Sequence, residues 1–389
     1  MTERKNLNAE FSEEDTDIDD DNWSESEEEE IEPEEEETTE PFDPTKIRVD
    51  TRQMTIDLVL SRIEHHELDL APDFQRRAGI WTDAAKSRLI ESILIRIPLP
   101  AFYMDATNEE KWLVVDGLQR LTALKQFVLD KKLRLIGLEY LNEIESNSYD
   151  ELPRKYQRRI QETQLTVYLI DKGTPPEVKF NIFKRINTGG LPLSPQEIRH
   201  AINQGKSTIF LAKLADCTEF KKTTGITRRS KIRMEDHEFV LRFLAFMINS
   251  YNNYNFKILD EFLNETMLKL NKMSDEQLNS LEYEFIRAMN AANDIFGKYA
   301  FRKRSKANLK RKYPINKALF ESWSVNLAQL SPKELNLLKQ RKNDLNKNFI
   351  DIIETDQEFV GSISQGTGKI NQVKHRFSAI EKLIKEMLT

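Results

Sequence analysis

Residues 112–124, WLVVDGLQRLTAL, run an apolar strand directly into Asp-Gly-Leu-Gln-Arg, after which the apolar spacing turns helical. A strand handing over to a helix across so short a polar turn commits this region to a mixed α/β unit. Asp116 and Gln119 stand as an N-cap and third helical residue, so a capping box accounts for both. Gly117 and Arg120 need another reason. A glycine in a first turn costs up to ~1 kcal/mol relative to alanine, and an arginine there meets a dipole end that repels cations. An anion bound at the helix N-terminus offsets both penalties, because backbone N–H groups and a guanidinium fork hold a phosphate together. Phosphate binding and a purely structural turn both remain open on these residues.

The rest of the chain reads as two compact units. A helix is expected over residues 51–66 (TRQMTIDLVLSRIEHH), with Met54, Leu58 and Ile63 on one side. LDLAPDFQRRAGIW is a short extended piece ending in a loop, since Pro72 and Gly79 oppose helix. Thr82 or Asp83 caps the next helix, whose apolar stripe is Leu89, Ile90, Ile93, Leu94 and Ile97. AFYM, WLVV and LTVYLI (165–170) are strands, and PEVKFNIFKRIN (176–187) is a helix. Ser194-Pro195-Gln196-Glu197 has the form of a capping box with proline at the first helical position. From about residue 206 onward strand signals almost vanish. HEFVLRFLAFMI, ILDEFLNETMLKL, LEYEFIRAMNAANDIF, ALFESWSVNLAQL and FSAIEKLIKEML all read as helices. The expected class is α+β: a small mixed-sheet domain over residues 46–205, then a mostly α-helical domain over 206–389.

Charge divides the chain differently. Residues 1–45 hold 21 Asp or Glu against Arg4 and Lys5, whereas the remainder holds 56 Lys or Arg against 44 acids. The first segment, with SESEEEEIEPEEEE, is too poor in apolar surface to offset the entropy of ordering it and is expected to be disordered. It reads as a solubilising tail, or more sharply as a competitor for the basic body in place of nucleic acid. The single cysteine, Cys217, excludes a disulfide framework and a thiolate zinc site. No apolar run of membrane length and no N-terminal signal segment is present, so a cytoplasmic protein is expected.

Two further stretches set arginines beside aromatics and turn residues: Phe74-Gln75-Arg76-Arg77, and Phe183-Lys184-Arg185-Ile186-Asn187-Thr188-Gly189-Gly190. Taken in order, DFQRRAGIW, RLIESILIRIPLP, VVDGLQRLTAL and IFKRINTGGLPLSPQEIRHAI resemble the N-terminal domain of the GmrSD-type restriction endonucleases, within the ParB/sulfiredoxin-like fold group. The resemblance spans residues 50–205; the helical remainder resembles the extension of stand-alone members more weakly. It implies a domain that binds and often hydrolyses a nucleoside triphosphate with Mg²⁺, in bacterial defence against foreign DNA. Carried onto this chain, it implies nucleotide contacts from Gln75, Arg76, Asp116, Gly117, Gln119, Arg120, Arg185 and Asn187. Asp116 and Gln119 would be the catalytic pair, with Asp116 orienting either Arg120 or a metal-bound water. The family's usual Asp-Gly-Gln-Gln-Arg is here Asp-Gly-Leu-Gln-Arg. Leu118 keeps the backbone N–H of the replaced glutamine and loses its amide, so binding is expected ahead of turnover.

Nuclease members commonly carry an HNH module, which needs His, Asp and Asn around a divalent metal. Past residue 206 this sequence has only His237 and His375, both on helical segments, so cleavage is expected from a separate nuclease or defence subunit. GSISQGTGK (361–369) fails as a P-loop, and the adjacent His65-His66 diverge on a helix. KKTTGITRRSKIR (221–233) and KYAFRKRSKANLKRK (298–312) are candidate DNA contacts, through Arg228, Arg229, Lys231, Arg302, Lys303 and Arg304. The alternative to a nucleotide-dependent protein is a non-catalytic DNA-binding or regulatory adaptor whose polar turn is structural.

Overall fold

The structure is a computed structural model that describes residues 48–70, 81–171, 173–186, 194–226 and 234–389. Its N-terminal part is built on a mixed five-stranded sheet: β1 (Val49–Thr55), β2 (Leu68–Asp69), β3 (Phe102–Asp105), β4 (Trp112–Asp116) and β5 (Gln164–Ile170). The strand order is β1-β5-β3-β4-β2, with β1–β5 and β3–β4 antiparallel and β3–β5 and β2–β4 parallel.

Alternation along the strands sends Met54, Phe102, Met104, Trp112, Val114, Leu165, Val167 and Leu169 into one core. Four helices close over that face: α1 (Ile56–Glu64), α2 (Asp83–Leu94), α3 (Leu118–Val128) and α4 (Arg154–Glu162). The other face carries Val115 and Ile170, which pack with Phe180 and Phe183 of α5 (Pro176–Ile186) and Ile198 of α6 (Pro195–Ile202).

Two expectations are corrected here. Residues 51–55 are strand, since all of Val49–Thr55 pairs with β5; the helix starts only at Ile56, capped by the Thr55 hydroxyl, and Leu58 is exposed. Sheet pairing overrides the helical spacing because it satisfies the same backbone groups while burying Met54. Ile97 lies beyond the end of α2 and is exposed rather than part of its stripe. The Thr82 cap and the Ser194–Glu197 capping box with Pro195 both form.

The expected helical part follows, giving an α+β protein: α7 (Lys206–Asp216), α8 (Thr218–Thr224), α9 (Glu235–Ile248), α10 (Leu259–Lys272), α11 (Asp275–Phe296), α12 (Lys317–Ala328), α13 (Pro332–Gln340), α14 (Lys342–Thr355), α15 (Gln357–Ser362) and α16 (Ile370–Leu388). Helix α12 runs through the middle, every residue from Ala318 to Ala328 being buried. A helix buried on all sides normally carries no charge. Glu321 nonetheless sits in it at 0% exposure, accepting from Nε of Arg376 on α16 at 2.9 Å and from Arg242 on α9 at 3.3 Å.

Arg242 also holds Glu238 at 2.9 Å. Burial would raise the Glu238 pKa, yet Lys317, Arg242 and Arg199 together hold it well below the usual carboxylate range. Arg199 lies on α6, with Asp260 of α10 as its second carboxylate partner. A line of buried charges thus ties the last helix against the sheet to α9, α10, α12 and α16. Among the described residues no helix is long and apolar enough to cross a membrane.

Glu321→Ala is expected to cost about 3–5 kcal/mol, because it removes the carboxylate facing a fully buried Arg376. Urea unfolding measures it, and a loss under about 1 kcal/mol would show the charges to be solvated.

Candidate functional site at the turn between β4 and α3

The strand-to-helix turn is set by one extra residue. Met104 of β3 pairs with Val114 of β4, while the preceding Tyr103 pairs with Asp116, leaving Val115 as a bulge. Bulges re-aim side chains at strand ends. Here Asp116 comes to stand opposite Tyr103. The Tyr103 ring stacks on Tyr168 of β5 (centroids 4.9 Å, planes 23° apart). Burial raises the Tyr103 pKa, and Tyr168 and the Asp116 charge add to it.

The next residue, Gly117, is the N-cap of α3 in the left-handed region (φ 100°). The capping box expected of Asp116 and Gln119 therefore does not form, because the cap falls one residue later on a residue with no side chain. A Cβ on Gly117 would lie 2.3 Å from Phe102 Cδ1, so the backbone conformation and this close approach both demand glycine. That is a packing reason, where the sequence had suggested ligand access.

Arg120 differs most from expectation. Its guanidinium donates to the carbonyls of Pro100 and Ala101 (3.1 Å to Ala101) and to Asp116 Oδ2 at 2.9 Å. It also lies 4.2 Å over the Phe102 ring. Its side chain is only 11% exposed. Burial lowers its pKa and Asp116 opposes the shift, but an arginine stays charged throughout. Arg120, expected as a phosphate contact, thus braces the start of α3 against the chain entering β3. Asp116 accepts from Arg120, the contact that one of the two roles considered for it requires.

Other expected site residues fall as follows. Leu118 packs against the sheet core, so the leucine in place of glutamine has an apolar partner surface. Gln119 lies in the first turn of α3, and Arg185 is exposed in the last turn of α5. Gln75, Arg76, Asn187, Arg228, Arg229 and Lys231 lie outside the described residues.

Helix α5 is pinned to the sheet by a buried pair that the sequence reading missed. Lys179 Nζ reaches Asp105 Oδ1 at 3.1 Å and the Thr107 hydroxyl. The Tyr103–Tyr168 stack was also missed, although alternation in LTVYLI already separates Tyr168 from the core residues Leu165, Val167 and Leu169. Among the described residues no group of three or more His, Cys, Asp or Glu is placed to hold a metal ion.

In the helical part, Arg302 is buried at 5% exposure and donates to the carbonyls of Tyr313 and Thr224 (2.9 Å to Thr224). It is a strut and cannot be the DNA contact expected of it. Lys303 and Arg304 are half-buried beside it. His237, at the start of α9, has Nδ1 2.9 Å from Asp236 Oδ1 and its ring 6.1 Å from that of His200 on α6. Burial, and then His237, push the His200 pKa down to about 4.

Residues 55–203 match the family described as GmrSD restriction endonuclease, N-terminal domain. The matched segment starts at the last residue of β1 and ends just past α6, so it contains the β4–α3 turn. No curated protein matches the chain.

Arg120→Ala should lower stability by about 2–4 kcal/mol, since it strips a charged donor from Asp116 and from two backbone carbonyls. An equilibrium unfolding curve superimposable on wild type would refute the brace.

The lowered His200 pKa yields a pH dependence. The unfolded histidine titrates near its ordinary value of 6.5 and the folded one near 4. The unfolded chain therefore binds the extra proton first as pH falls. Stability from this group is complete above about pH 6.5 and is lost between pH 6.5 and 4, by on the order of 3 kcal/mol. His200→Gln should flatten that stretch of a stability–pH curve.

Proposed function

We propose that the chain is a nucleotide-binding protein of the restriction or phage-defence type, acting at DNA, with nucleotide phosphate held at the start of α3. The observation carrying this reading is a helix N-terminus kept clear of any capping side chain, with one carboxylate, Asp116, beside it at 35% exposure. The backbone N–H groups of Leu118, Gln119 and Arg120 precede the first helical hydrogen bond, from Leu121 N–H to Gly117 O. Such groups, aided by the helix dipole, favour an anion.

The brace on Arg120 changes the division of labour. Its charge reaches the phosphate only through space, while Arg185, and Arg76 and Gln75 with Asn187 on the flanking segments, supply the clamp. Mg²⁺ commonly takes one or two protein carboxylates and completes its shell with phosphate and water, which suits the lone Asp116. Gln119 is the remaining amide of the Asp-Gly-Leu-Gln-Arg turn and would position water; with Leu118 turned to the core, binding is favoured over hydrolysis. Strand cleavage would come from a separate nuclease subunit.

A second reading, a non-catalytic DNA-binding or regulatory adaptor, is favoured by one observation. Packing against Phe102 and the Pro100–Ala101 carbonyls accounts for Gly117 and Arg120 without any ligand.

Thermal unfolding with ATP, GTP, CTP or UTP, with and without Mg²⁺, separates the two. A nucleotide at a hundred times its Kd should add about 2.7 kcal/mol. Arg185→Ala should weaken that nucleotide about tenfold while moving apo stability by under about 0.5 kcal/mol, because Arg185 is exposed. Absence of stabilisation by all four nucleotides leaves the adaptor reading.

A further inference from the structure

The described start of the first basic stretch, residues 221–226, and the second stretch, about seventy residues further on, meet at one place on the helical part. Residues 303–314, KRSKANLKRKYP, hold six Lys or Arg and no acid. The loop they form is closed at its base by the pairing of Arg302 with Ile315 and by Asn316 N–H donating to Phe301 O at 2.9 Å. Arg302 then bolts that base to the C-terminus of α8 through the Thr224 carbonyl. At the same junction, Lys312 Nζ comes within 3.9 Å of where a Cβ on Gly225 would stand, and Gly225 caps α8 just after the exposed Lys222. The buried arginine thus serves the basic surface by fixing its position.

Within the loop, cations are held on rings. The Arg304 guanidinium lies 3.9 Å from the Tyr299 ring centroid with Lys298 Nζ also over that ring at 5.3 Å, and Arg311 lies 4.7 Å from the centroid of Tyr313. Stacking fixes the guanidinium planes and leaves less entropy to lose on meeting a phosphate. It also engages the tyrosine rings, which makes them poorer platforms for unstacked bases. Lys306 is set apart from this group by its pairing with Asp351 and Glu354 on α14.

From this arrangement we infer that Lys222, Arg304, Lys310, Arg311 and Lys312 form one surface that binds the phosphate backbone of duplex DNA without reading its bases. This rests on the reading that the protein acts at DNA. Cations already held on the rings favour a duplex over a single strand, whose binding draws on base stacking.

The test is fluorescence anisotropy of a 20-base-pair duplex with the full chain at several salt concentrations. Lys310→Ala/Arg311→Ala/Lys312→Ala changes three exposed side chains and should fold as wild type by thermal unfolding. It should bind at least tenfold more weakly at low salt, with the slope of log K against log salt reduced in magnitude by about 2–3. Lys306→Ala should bind as wild type does. Equal affinity and slope for the triple variant and wild type overturn the surface while leaving DNA binding standing. A wild type that binds no duplex at low salt overturns both. Tighter binding of a single-stranded RNA of equal charge overturns the duplex assignment. Nucleotide-dependent thermal stabilisation, measured in parallel, should be the same in the triple variant and wild type.

Discussion

The arrangement of the molecule hangs on charges that no solvent reaches. Glu321 lies inside a helix buried on every side and faces Arg376 and Arg242; Arg242 holds Glu238, and Glu238 faces Arg199 at 4.0 Å. Each group is tolerable only because the next is present, since a single unpaired member would carry a desolvation cost of several kcal/mol. Apolar packing of α12 would allow many small rotations about its axis. Glu321 admits only those that keep both arginines in reach, so the network specifies how α9, α12 and α16 are turned towards one another.

Through Arg199 that specification extends to the sheet. Helix α6 packs Ile198 on the sheet face that carries Val115 while committing Arg199 to Asp260 and Glu238. Val115 is the bulge residue that swings Asp116 opposite Tyr103, so α6 reports on both the turn and the helical part. Arg120 completes the frame from the opposite side of the turn. The polar residues that looked most like ligand groups in the sequence thus include some whose first duty is to hold the turn's shape. A backbone anion site needs this rigidity, because N–H groups attract an anion strongly only when they are already aimed.

Much of this was legible in the residues. The α+β division, β4, β5, the Thr82 and Ser194 caps and the long helices after 206 follow from period and capping chemistry, which act locally. The failures share a cause. TRQMT carried helical spacing, but its strand state depends on β5, more than a hundred residues away. Arg120 and Arg302 were read as phosphate and DNA contacts; their burial depends on carbonyls of Pro100, Ala101, Thr224 and Tyr313, which no sequence pattern marks. Gly117 was flagged correctly as an anomaly, yet the ring that requires it, Phe102, belongs to another strand. The buried chain from Arg199 to Arg376 gave no signal at all, since each member looks like an ordinary charge on an amphipathic helix.

The separation of Arg376 from Glu321 along the chain has a consequence for biogenesis. While a ribosome is still extending the polypeptide, Glu321 emerges 55 residues before Arg376, the second of its two arginine partners. During that interval Glu321 has Arg242 but lacks its closer partner, so sealing α12, with Leu319, Phe320 and Trp323, into the interior costs more than it does once α16 docks. Docking of α16 therefore completes the pairing of Glu321. Chains stalled or cleaved before it would display a sticky surface, which is the kind of feature that chaperones and proteases recognise.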